Sequence, residues 1–334
     1  MSDIQKAEDI EYCDFYEKEL GKIKRVFLSK KVQSRVPLRL KIFLYKSALK
    51  YKFFKLKRKE KILFVFSDAY AMVTNGEQVF DFIKCLKKWF VNAKFVFHKY
   101  DCMVEMTKYQ LDKKELFDLF LTFNRLDAEK YGIEYYGAYC ECGSVETLGF
   151  KETCDLVYVG RAGGPERSNF IINIFKYLSD RGWKCVFYIP PGITKEGLEF
   201  AKSELGEFQD FKGFWGDSVM KKYKDSVLYI DYCPYKKNIS LIETSKAVLE
   251  VILPVGLSSC TMRLPMVLAR NKKLITNSPY ILKEPFYDKN NILYFDKLED
   301  IDKSFLETSF KPIDYDFTGV GFINKVCKRL FPNE

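Results

Sequence analysis

Two turns rich in glycine or hydroxyl side chains, each with an arginine, are the residues in this chain best equipped for chemistry. The first is Gly160-Arg161-Ala162-Gly163-Gly164, directly after the apolar run DLVYV. The second spans Pro254 to Ser259, after the apolar run Ala247 to Leu253, with Thr261 and Arg263 just beyond it. Glycine lets backbone N–H groups approach an anion closely, and small hydroxyl residues at a helix start add donors beside the helix dipole. An arginine supplies a fixed charge that pairs with phosphate in fork geometry. Gly160, Arg161, Gly163 and Gly164, with Ser258, Ser259, Thr261 and Arg263, are therefore candidate phosphate contacts. An ordinary strand-to-helix connection with a serine cap accounts for either turn taken alone.

The elements that must position these turns alternate. In the second half, strands are expected at 155–160, 184–189, 226–231, 247–253, 274–276 and 291–295. Helices are expected at 169–181, 194–205, 235–244, 260–269 and 298–306, with a short one at 215–222. The region 61–135 alternates in the same way, with strands at 62–66, 94–97, 119–123 and 133–135, helical runs at 76–90 and 111–118, and a short helix at 127–131 ended by Gly132. Alternation of this kind implies parallel, doubly wound sheets, in which ligands bind beyond the carboxyl ends of the strands. Asp68, directly after the first of these strands, is thereby placed for proton transfer. Asp127 is a second carboxylate near a strand end, and capping its own helix is the stronger expectation for it.

Residues 1–60 differ. An acidic start gives way to a segment dense in lysine and arginine from 22 to 61, in which Leu40, Phe43, Leu44 and Ala48 share one helical face. Such a helix can lie on an anionic membrane surface or pack its apolar stripe on the body of the protein, and both readings stand. The tail, 316–331, is expected to form a last helix.

Composition narrows the classes further. The chain has 334 residues, 47% hydrophobic and 30% charged, with 55 basic against 45 acidic side chains. That suits a globular protein long enough for two domains, with a basic excess that favours an anionic partner. Ten cysteines are scattered, and the C-x-C at Cys140 and Cys142 has no matching second pair, so reduced thiols are expected and a zinc site is not. The one histidine, His98, sits in KFVFHKY and reads as structural. No run approaches the ~18 apolar residues of a spanning helix, so a cytoplasmic location, peripheral on the inner face of the membrane at most, is expected. The basic residues concentrate in one segment with no reader motif, which argues against nucleic acid as a partner.

Several stretches carry a resemblance. The order VYVGRA, YIDYCPYKKN and LEVILPVGLSSCTMRLPMVLARNKKLITNS resembles the C-terminal half of bacterial GT-B glycosyltransferases. FNRLDAEKYGIEYY, VYVGRA and KKLITN with the trailing FYDKNNI are similar to a family of capsule and lipopolysaccharide sugar transferases, over about residues 61–305. The resemblance implies an α/β chain of two Rossmann-like domains facing across a cleft. Its bounds would be 1–60 for the basic helical extension, 61–148 for the acceptor domain, 149–312 for the nucleotide-sugar domain and 313–334 for a helix returning to the first domain. It implies a nucleotide-sugar donor, most simply a UDP-sugar, and a glycan or lipid-linked acceptor, with no metal or other cofactor. Asp68 would be the base, the two turns would hold the donor diphosphate, and Tyr232, Pro234, Tyr235 and Glu250 would meet the nucleobase and ribose. One departure stands out. Such enzymes commonly carry a glutamate for the ribose three residues after the arginine, where this chain has Met266. A catalytically degenerate scaffold or nucleotide-binding partner of the same fold is the alternative that this departure favours.

Overall fold

The computed structural model describes residues 62–67, 76–99, 105–137, 139, 151–161, 164–190, 193–214, 216–252, 261 and 263–332. Asp68, Gly163, Ser258, Ser259 and the basic segment 22–61 lie outside these. The chain divides into two compact units, one of residues 1–137 with 320–334 and the other of 138–319.

In the first unit, β1 (Leu63–Ser67), β2 (Lys94–Lys99), β3 (Leu119–Thr122) and β4 (Glu134–Tyr135) form a parallel sheet in that order. Residues 95–99 of β2 are all buried, which explains why the sequence there runs apolar without alternation. One face is an aromatic layer: Phe64 stacks on Phe95 at 5.0 Å and Phe97 on Phe120 at 4.7 Å, with α1 (Gly76–Trp89) contributing buried Phe80 and Ile83. A 3₁₀ stretch, Glu105–Leu116, stands where a helical run from 111 to 118 is expected. The helix α2 (Arg125–Tyr131) corrects the assignment of Asp127. Asn124 is the N-cap, and its side chain accepts from the Asp127 N–H at 3.0 Å. Gly132, at φ +59°, ends the helix in the left-handed conformation that glycine adopts cheaply. His98 is buried 5.2 Å from Phe322 of the C-terminal helix Gly319–Leu330, and Tyr136 meets the same ring at 5.0 Å.

The second unit is an eight-stranded sheet. Its parallel part holds β5 (Cys154–Val159), β6 (Cys185–Ile189), β9 (Ser226–Ile230), β10 (Ser245–Glu250), β11 (Lys273–Thr276) and β12 (Ile292–Tyr294). The order β12-β11-β10-β5-β6-β9, continued by β8 (Gly216–Tyr223) and β7 (Gln209–Gly213), reverses direction beside β5, the position where doubly wound sheets open a crevice at their carboxyl ends. Successive residues of β5 split between two cores. Leu156 and Tyr158 join the layer of α3 (Pro165–Asp180) and α4 (Lys195–Leu205), which includes Phe175, Phe187 and Trp183. Val157 and Val159 join the layer of α5 (Tyr235–Glu243) and α6 (Arg263–Leu268). Each fully buried aromatic or aliphatic side chain adds roughly 1.5–3 kcal/mol.

Two element expectations fail here. Residues 216–222 belong to a strand and not to a short helix: β7 (Gln209–Gly213) and β8 (Gly216–Tyr223) form an antiparallel hairpin on the edge of β9. The Ser218 hydroxyl donates to Asp231 at 2.9 Å, and a Cβ on Gly213 would stand 2.0 Å from that hydroxyl oxygen. The partner strand therefore decides the conformation, a non-local cause that the local pattern does not carry. Likewise 298–306 is two 3₁₀ turns, Leu298–Asp300 and Lys303–Glu307, because Asp302 breaks the run and caps the second turn through the Ser304 N–H at 2.9 Å.

Candidate functional site

The carboxyl ends of β5 and β10 bring Gly160 and Arg161 close to Arg263. Their meeting point is Tyr158, fully buried on β5. Its hydroxyl reaches the Arg161 carbonyl at 3.5 Å, and the Arg263 guanidinium lies 5.4 Å from its ring centroid. Gly160 runs so close over the phenol that a Cβ there would sit 2.5 Å from the hydroxyl oxygen, which is why this position of the turn is glycine. Gly164 has φ +104°, a conformation that favours glycine, and opens α3 as its N-cap while accepting from the Ser168 hydroxyl at 2.8 Å. Arg161 is exposed; the backbone carbonyl is the part of it that is held.

A residue missed in the sequence completes the arrangement. Arg167, in the first turn of α3, donates to the Val251 carbonyl at 2.9 Å just past β10, and its Nε is buried with no partner. Arg263 donates to the Leu249 carbonyl at 3.3 Å. The two guanidiniums thus flank the end of β10 and act on the same phenol. Burial raises the Tyr158 pKa, while the charges of Arg263 and Arg167 and a hydrogen bond from Arg167 oppose it. Burial also lowers the pKa of Arg263, against the pull of Tyr158 and Glu250. The signal for Arg167 was present as an arginine two residues after a helix-starting proline, on the turn that faces the strand ends.

Glu250 has a different use from the ribose contact expected of it. It is 1% exposed, and both its oxygens are taken. One accepts from the Thr261 N–H at 3.0 Å and from the Thr261 hydroxyl, the other from the Thr276 hydroxyl at 2.8 Å. Burial pushes its carboxyl above the ordinary range, with the bonds from Thr261 and Thr276 pulling down. Thr261 in turn accepts from the Arg263 N–H at 3.2 Å, so Glu250 braces the entry to α6 through Thr261. Asn277 is likewise spent on backbone, accepting from the Ile252 N–H at 2.7 Å and donating to its carbonyl at 2.9 Å.

The β9–α5 loop lies alongside. Tyr232 donates its N–H to Asp231 at 2.8 Å, and its ring is 5.8 Å from Phe214 at the hairpin tip, which is 46% exposed. Pro234 stands at the N-cap position of α5 and Tyr235, half-buried, is its first residue. Burial pushes the neighbouring Cys233 thiol up to about 11, while the charges of Lys237 and Arg263 pull it down, which puts this loop within electrostatic reach of Arg263. Phe214 is the second residue that sequence reasoning missed.

No family model matches the chain, and no curated protein matches it. Solved structures do. TarM is similar with a TM-score of 0.52 and 11% identity, covering 89% of this chain and 55% of TarM. The fold is of the GT-B type. OtsA in its apo form is similar at 10% identity over 88% of this chain and 77% of its own, with a TM-score of 0.49. S. aureus MnaA, solved with UDP, gives 10% identity over 96% of this chain and 86% of its own, with a TM-score of 0.45. At such identities the likeness shows the fold alone, so what the site does rests on its own residues.

Proposed function

We propose that the chain is a glycosyltransferase that moves a sugar from a nucleoside diphosphate donor, a UDP-sugar in the simplest case, to a glycan or lipid-linked acceptor of a surface polysaccharide. The observation that carries this is the Arg167–Arg263 pair at the end of β10. The acid that acts on Arg263 is Glu250, and its oxygens are already engaged by threonines. The pair therefore keeps positive charge for a ligand at the strand ends. In glycosyl transfer the sugar–oxygen bond to the diphosphate breaks, and negative charge grows on the leaving diphosphate. Fixed guanidiniums aimed at that charge lower the barrier without rearranging. The Phe214–Tyr232 pair offers aromatic faces for the base.

The arginines do the work that a divalent cation does elsewhere. The reading has no metal in it, because the guanidiniums meet the leaving charge, and transfer should survive chelation with EDTA. Asp68 remains the proposed base, taking the proton of the acceptor hydroxyl. The basic segment 22–61 is proposed to hold the protein at an anionic membrane surface, and among the described residues no helix is long and apolar enough to cross a membrane.

A thermal-shift and calorimetric panel of UDP, GDP, ADP and CMP on the wild type and Arg263→Ala tests the reading. One diphosphate should stabilise the wild type by mass action, and the variant should lose that shift. No shift with any of them overturns it. Met266, half-buried and packed against apolar neighbours of α6, supports one second reading, a nucleotide-binding scaffold without turnover. Nucleotide binding without transfer or donor hydrolysis, across a panel of acceptors, would select it.

A further inference from the structure

We propose that Tyr158 is a positioning residue of the anion site, its ring seating Arg263 and its hydroxyl holding the Arg161 carbonyl of the turn after β5. The inference rests on the phosphate reading above. The core does not require a hydroxyl here. The residues of the same layer around it, Leu156 on β5, Phe187 on β6 and Leu249 on β10, are all apolar and fully buried. A buried phenol oxygen is costly unless bonded, so its partners define its use. Those partners belong to the site: the Arg161 carbonyl 3.5 Å from the hydroxyl and the Arg263 guanidinium over the ring at 5.4 Å.

Two like charges held near one another repel, and without a ligand each would swing toward water. Tyr158 opposes that in two ways. The ring face attracts Arg263 through its quadrupole, and the hydroxyl holds the Arg161 carbonyl, and with it the turn that leads into the helix of Arg167. Both guanidiniums are then in place before an anion arrives, which lowers the ordering cost of binding. Because the Gly160 backbone lies against the same hydroxyl, the glycine turn and the arginine pair share one reference point.

The ring and the hydroxyl can be separated by substitution. Tyr158→Phe keeps the seat for Arg263 and releases the Arg161 carbonyl, whereas Tyr158→Leu removes both. Affinity for UDP and for inorganic pyrophosphate would be measured by calorimetry on the full chain, with melting temperature as the check on folding. Tyr158→Phe should bind both ligands close to wild type, and a folded Tyr158→Leu about 3–10-fold more weakly, the worth of one cation–ring contact. The Tyr158→Leu loss should shrink in an Arg263→Ala background and persist in an Arg167→Ala background, since only neighbours couple. Wild-type affinity in a folded Tyr158→Leu, or losses that add in the Arg263→Ala background, would overturn the inference and leave the phosphate reading standing. If the wild type binds neither ligand, or both arginine variants bind as it does, the phosphate reading fails and this inference with it.

Discussion

Glu250 offers the sharpest test of how the site is braced. Its carboxylate is fully buried and receives the Thr261 N–H, the Thr261 hydroxyl and the Thr276 hydroxyl. Removing the side chain in Glu250→Ala leaves the Thr261 N–H without an acceptor, at about 1–3 kcal/mol, and the vacated space adds to that. A total near 3 kcal/mol corresponds to a melting drop of roughly 6–12 °C for a unit of this size. Glu250→Gln should behave differently. The raised pKa means that burial disfavours the ionised form more than the threonines favour it. A neutral amide of the same shape keeps an acceptor for Thr261, so it should melt at or above the wild-type temperature near neutral pH. The sign of the pH dependence follows. A carboxyl whose folded pKa lies above its ordinary 4.5 contributes stability in full below that value and loses it as pH rises through the folded pKa. Wild-type stability should therefore carry a falling component above pH 4.5 that Glu250→Gln lacks. Calorimetric melting of the three proteins between pH 4 and 8 checks this. If Glu250→Gln is as damaging as Glu250→Ala, or its pH profile matches wild type, the ionised carboxylate itself is the stabilising element and the argument is wrong.

Three further outcomes are expected. Gly160→Ala places a Cβ 2.5 Å from the Tyr158 hydroxyl oxygen and should cost about 1–3 kcal/mol by overpacking, partly restored by Tyr158→Phe in a denaturant titration; a neutral Gly160→Ala would refute the close approach. Asp155 is desolvated, yet the Lys184 N–H at 3.0 Å and the ammonium groups of Lys303 at 3.0 Å and Lys246 at 3.1 Å outweigh that and hold its carboxyl below the ordinary 3.8. Its stabilisation should be present above pH 3.8 and fade as pH falls through the folded value, and Asp155→Asn should lose that component of the acid-unfolding curve. Met266→Glu, one helical turn beyond Arg263, should tighten UDP over 2′-deoxy-UDP by about 3–10-fold if the ribose lies along α6, the gain of one hydrogen bond; an unchanged ratio in calorimetry would place the ribose elsewhere.

Much of the fold was legible because its signals are local. The strand runs of the second unit are apolar without alternation, since both faces of a parallel sheet are covered, and period alone finds them. Thr194 and Gly132 mark helix ends through hydrogen bonds and dihedral angles within a few residues. Gly160, Gly164 and Arg263 could be singled out because glycine and arginine at strand ends have few other uses. The hairpin at 209–223 could not be read that way. Ser218 and Gly213 are set by Asp231 just past the next strand, and residues 216–222 carry no local mark of that partner. The uses of Glu250 and Tyr158 were also hidden. In the sequence Glu250 is an acid at a strand end, free for a ribose, and Tyr158 is one aromatic among many. Only the approach of Thr261 and Thr276 turns the acid inward, and only the arrival of Arg263 from about a hundred residues away makes a core tyrosine its seat. Periodicity reports which face of a strand is buried; which polar atom waits at its end is decided by chain that arrives from elsewhere.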